Sequence, residues 1–138
     1  MEVPAKFIHT GFIDLLCDSI FNYRKASESS DSYEINRYAR ASISASFLSI
    51  ECCANVLLQE LGIPKSTLND YDRLPPISKI ETYFNMAGSG NNLDRGDYRV
   101  QKIRELIKVR NDFVHPKIQK INAGISFPED KEVPGWCH

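Results

Sequence analysis

Two side chains near the end of the chain could act together on a phosphate. In the stretch KVRNDFVHPK, Lys108 to Lys117, four residues separate Arg110 from His115. A guanidinium stays charged at physiological pH and can hold two oxygens of an anion at once. An imidazole can both take and return a proton near neutrality. Arg110 is also a misfit. Read as a helix, the segment carries an apolar stripe through Val100, Ile103 and Ile107, and the next position on it is Arg110. The stripe resumes at Val114 and stops at His115-Pro116. On an ideal helix Arg110 and His115 lie about 140° apart, so sharing a site requires the length of Arg110 and a break at His115.

A second misfit stands in the stretch SFLSIECCANVLL, where Glu51 interrupts an apolar run and Asn55 follows one turn later. A buried carboxylate needs a cation or an opening to solvent. The economical expectation is that Glu51, Asn55 and Arg110 face one another, the carboxylate holding the guanidinium in a fixed fork. On residue types alone, a purely structural ion pair that sets helix register explains Glu51 and Arg110 equally well. His115 on its own reads more simply as a partner for the dipole at a helix end.

The elements that would position these groups all read as helices. Phe12, Leu16, Ile20 and Tyr23 mark a first helix after Pro4. The Ser-rich KASESSDS follows, in which Ser30, Asp31 or Ser32 can cap the next helix. That second helix, about 33 to 61, is the longest. It shows two apolar stripes, one through Ile43, Phe47, Ile50, Ala54, Leu57 and Leu61, the other through Ala41, Ala45, Leu48, Cys52 and Val56. Two apolar faces predict a helix packed on more than one side. Gly62 and Pro64 end it. A third helix is expected from Pro76 to Met86, then the polar loop GSGNNLDRGD, then a fourth helix from Asp97 or Tyr98 that Pro116 stops. The fold expected is all-α, an antiparallel four-helix bundle, in one domain over 1–138 with a core of about 5–117. Residues 118–138 read as an irregular extension, docked through Phe127 and Trp136.

The 138 residues are enough for a core without disulfides or metal. Net charge is −1, so no global field marks a nucleic-acid or membrane binder. Locally, residues 101–120 hold six basic side chains (Lys102, Arg104, Lys108, Arg110, Lys117 and Lys120) against Glu105 and Asp112, a net +4 that could steer a phosphate backbone. A solvated helix face explains the same pattern. The start of the chain, broken by Asp14 and Asp18, reads as neither a signal peptide nor a membrane span, which sets a cytoplasmic location as the expectation. Cys17, Cys52, Cys53 and Cys137 lack zinc-site spacing and read as buried small apolar groups. No metal or cofactor is expected.

The run Arg110-Asn111-Asp112-Phe113-Val114-His115 resembles the signature of the HEPN superfamily (higher eukaryote and prokaryote nucleotide-binding domains). That signature is an arginine followed after four to six residues by a histidine, with Asn, Asp or His typically after the arginine. The long helix with SIECCANVLL, Glu51 and Asn55 included, is also similar to that family's central helix, and the resemblance runs from the first helix to Lys117. It implies a helical bundle with the motif on its last core helix. It further implies a metal-independent endoribonuclease, often a toxin of a toxin–antitoxin or phage-defence system, whose arginine and histidine meet in a cleft between two protomers. Other members are inactive binding or accessory modules. Carried onto this chain, Arg110 and His115 are the catalytic pair, with Asn111, Glu51 and Asn55 in support. Lys108, Lys117 and Lys120 would then touch the RNA backbone. The partners implied are RNA, a second copy through the helix bearing Arg110 and His115, and an antitoxin protein.

Overall fold

In the computed structural model, residues 6–88 and 90–116 are described, with side chains from residue 11 onward. Among them the fold is all-helical. The elements are α1 (Lys6–Glu28), α2 (Ser32–Glu60), α3 (Lys65–Tyr71), α4 (Pro76–Met86) and α5 (Tyr98–Val114). The segment 118–138, with Lys120, Phe127 and Trp136, and also Lys117, lies outside the described residues.

Local signals set the helix ends. Asp31 caps α2, its carboxylate accepting from the N–H groups of Tyr33 (3.4 Å) and Glu34 (3.3 Å). Pro76 opens α4, where a missing N–H costs nothing. Asp97 caps α5, accepting from the N–H of Arg99 at 2.8 Å. Gly62 and Gly88 follow α2 and α4 with φ of +64°, a left-handed turn that leaves the helix and suits glycine. The fifth helix, α3, has seven residues after Pro64. It is too short to show a period and falls in what reads as a plain connection.

α2 is the hub, with α1, α4 and α5 each packed on it. By length and composition α2 could cross a membrane. Its three packed neighbours give it the place of a core helix. Phe47, Ala54 and Leu58 of α2 are buried with Ile77 of α4 and Val100 of α5.

The α1 interface differs from the expected stripe. Phe12 turns partly inward, but Leu16, Ile20 and Tyr23 are exposed. What faces α2 is a seam of hydroxyls. Buried Ser19 hydrogen-bonds Ser46, and the Ser42 hydroxyl donates to the Ser19 carbonyl at 2.8 Å. Farther along, Ser49 donates to the Phe12 carbonyl at 3.3 Å. Small side chains let the two backbones approach, and each hydroxyl finds an acceptor. Cys17 is likewise exposed rather than buried, while Cys52 and Cys53 are half-buried. Burial pushes the Cys53 thiol up, and neighbouring Cys52 adds to the shift.

Candidate functional site at the end of α5

The apolar stripe of α5 faces α2, so Arg110 does too. Its guanidinium carbon lies 4.2 Å from the centre of the buried Phe47 ring. A guanidinium over an aromatic face gains about 0.5–2 kcal/mol, depending on how far it is desolvated. Arg110 Nη1 also donates to Asn111 Oδ1 at 3.0 Å. The arginine occupies a core position because an aromatic ring receives it there.

The expected carboxylate fork is absent. Among the described residues no hydrogen bond or ion pair joins Glu51 to Arg110. Glu51 is half-buried and lines a hollow of about 390 Å³ together with Leu15 of α1 and Leu48 and Asn55 of α2. An opening to solvent meets the need that a partner would have met. Asn55 has a different partner as well. Its Oδ1 accepts from Lys79 Nζ at 2.7 Å, and that ammonium, 2% exposed, is 3.5 Å from Asp72 Oδ1. The buried polar cluster is thus Asn55–Lys79–Asp72, tying α2 to α4 and to the residue after α3. Sequence reading missed Lys79. Its signal was a lysine one turn after Pro76 and one before Tyr83, on the inward side of α4.

His115 terminates α5. Its N–H bonds the Asn111 carbonyl at 2.8 Å, while its φ of −123° and ψ of 69° leave helical geometry. The residue is exposed. The structure therefore brings Arg110 and Asn111 into contact and sets His115 one turn past Asn111, with no other hydrogen bond or ion pair joining the three among the described residues.

Beside this motif runs a cleft of about 400 Å³. One wall is the start of α4, at Pro75, Ile77 and Ser78; the other is α5, at Arg104, Lys108 and Asn111. Residues 104, 108, 111 and 115 fall within about 60° of one another around an ideal helix. Asn111 thus belongs both to the Arg110 contact and to the cleft. Lys108 stands where a backbone-binding residue is expected. Arg104 was counted in the basic run of α5 but not among the residues expected to touch the RNA backbone, although its spacing from Lys108 and His115 gave the signal.

Arg95 closes one end of the cleft and is fastened from outside it. Its Nε and Nη2 donate to Glu81 at 2.6 and 3.2 Å, and these bonds hold the Glu81 carboxyl below the usual range. A group whose folded value is depressed stabilises the fold fully above its unfolded value, here near 4.5, and loses that contribution as pH falls further through the lowered value. In thermal melts, wild type is therefore expected to lose Tm below that pH more steeply than Glu81→Gln. Parallel Tm–pH curves for the two proteins would refute the clamp.

In comparisons with known proteins, no family model, no curated protein and no solved structure matches this chain.

Proposed function

We propose that this chain is a metal-independent endoribonuclease of the HEPN type. Its long helices α1, α2, α4 and α5 would form the antiparallel four-helix bundle of that family, with α3 an added turn. The observation that carries the reading is the placement of Arg110. It is seated on Phe47 and donates to Asn111 Oδ1 at 3.0 Å, and Asn111 lies on the helix face that ends in His115.

In this reading His115 takes the proton from an RNA 2′-OH and returns one to the leaving 5′-oxygen. The 2′-oxygen bonds to phosphorus as the bond to the 5′-oxygen breaks, which gives a 2′,3′-cyclic phosphate and a 5′-OH end. Arg110 stabilises the added charge on the pentavalent phosphorus, and Asn111 orients Arg110. The angular separation of Arg110 and His115 on one helix is the reason for proposing a homodimer. Two copies of α5 side by side let the arginine of one protomer serve with the histidine of its partner. The resemblance extends the proposal to a cytoplasmic toxin held in check by an antitoxin, or to phage defence.

One observation favours a second reading. Among the described residues nothing bonds to the His115 side chain, which suits a catalytically silent module that binds a nucleotide or a protein. Incubating the purified protein with RNA in EDTA separates the two readings. Cleavage to 2′,3′-cyclic ends, with a DNA strand of the same sequence left intact, is the expected result, because DNA lacks the attacking hydroxyl. Sedimentation of the active protein as a monomer would refute the shared cleft, and intact RNA would refute the enzyme.

A further inference from the structure

We infer that the cleft between the start of α4 and α5 is a subsite for backbone phosphates of single-stranded RNA, separate from the point where Arg110 and His115 act. The identity of the strand rests on the ribonuclease reading; the phosphate chemistry rests on the cleft itself. Arg104 and Lys108 project from one face of α5, one turn apart, and among the described residues neither makes a hydrogen bond or ion pair. Other basic side chains nearby are occupied: Arg95 by Glu81, Arg99 by Asp97, Lys102 by Glu105. Two uncommitted cations in one cleft are a pair of charges placed for an anion. Asp112 is the one acidic side chain in the lining.

The opposite wall adds donors of the same sign. α4 begins without a side-chain cap, since Pro75 precedes it, so the N–H groups of Ile77 and Ser78 have no side-chain acceptor. These amides only reinforce the two cations; alone they would not make a site. The lining contains no aromatic ring on which a base could stack. Recognition there would therefore be of phosphate and without sequence preference.

Distance separates this subsite from His115 and direction separates it from Arg110. Arg104 and Lys108 precede His115 by eleven and seven residues, about 10–16 Å along the axis, whereas Arg110, two residues past Lys108, leaves their face for the Phe47 ring. They would hold a neighbouring phosphate, leaving the scissile one to Arg110 and His115. Asn111, shared between the Arg110 contact and the cleft, marks the path from one to the other.

The test uses an RNA about a dozen nucleotides long, fully 2′-O-methylated so that it cannot be cleaved, with binding read by fluorescence anisotropy over a salt series. The Arg104→Ala/Lys108→Ala protein is expected to bind about tenfold or more weakly at low salt, with a log–log salt slope shallower by about 1.4. Arg104→Lys/Lys108→Arg should bind as wild type does, which shows that lost charge and not lost folding is responsible. Equal affinity and slope in the alanine variant and wild type would overturn the inference, as would failure of wild type to bind. A nucleoside 5′-monophosphate that displaced the RNA at comparable phosphate concentration would replace the backbone with a mononucleotide ligand and overturn it too. Cleavage of unmodified RNA by wild type is scored separately, so a failure of the ribonuclease reading stays distinct from a failure of the subsite.

Discussion

RNA cleavage by an Arg110→Lys protein is expected to fall by about 100-fold or more in kcat, the cost of removing one preorganised donor from a developing oxyanion. The charge survives this change, so the loss must come from geometry. Lysine cannot present two parallel N–H groups to a phosphate, and a compact ammonium stacks less well on an aromatic face than a planar guanidinium. Phe47 therefore enters as a positioning residue. Its ring lies 4.2 Å from the Arg110 guanidinium carbon and fixes where the charge sits before substrate arrives. His115→Ala should cost about 100- to 10,000-fold, the range of a general acid–base, with no change in Tm because the side chain is exposed. KM should hardly move in either variant, since the proposed mechanism has both groups act on the transition state and leaves the ground-state contact to Arg104 and Lys108. Retention of full turnover by Arg110→Lys beside an inactive His115→Ala would remove Arg110 from the phosphate. Undiminished cleavage in both would attribute the activity to something other than this motif.

How far the sequence announces this arrangement depends on the residue. Pro76, Asp97 and Pro116 state the ends of α4 and α5 in local chemistry, and the structure keeps α4 at Pro76–Met86 and α5 at Tyr98–Val114. The place of Arg110 on the inward stripe was legible too. Its partner was not, because a guanidinium at such a position is satisfied by a carboxylate or by a ring face. Glu51 and Phe47 both stand on α2, and only the rotation and depth of the helices decide between them. The α1 interface failed for a different reason. Apolar periodicity finds the side of a helix that could be buried by oil-like contact, whereas the α1 face turned to α2 combines half-buried Phe12 and Leu15 with Ser19, which meets the α2 serines Ser42 and Ser46. Hydroxyls that satisfy one another across a close seam carry no apolar signal. Three of the residues that did carry one, Leu16, Ile20 and Tyr23, were left outside.

The same logic makes Asn55 the most consequential residue for stability among those first assigned to the site. Asn55→Leu removes the 2.7 Å acceptor of Lys79 and leaves a buried ammonium with only Asp72, 3.5 Å away and itself 75% exposed. Losing a hydrogen bond to a buried charged group costs about 3 kcal/mol, a large part of the stability of a domain this size. Lys79→Met strands a neutral amide oxygen instead and should cost less, about 1–3 kcal/mol. The double variant Asn55→Leu/Lys79→Met removes both polar groups and fills their space with apolar atoms, so it should recover to within about 1 kcal/mol of wild type. Urea denaturation of the four proteins measures the coupling directly, provided the m-values agree. Strict additivity of the two single costs would mean that Lys79 does not depend on Asn55. The amide would then be available to Arg110 as the sequence suggested, and the separation of the structural polar cluster from the motif on α5 would have to be abandoned. Strong coupling instead assigns Asn55 to holding α4 against α2. By fixing the start of α4, that clamp also sets the far wall of the cleft that Arg104 and Lys108 line.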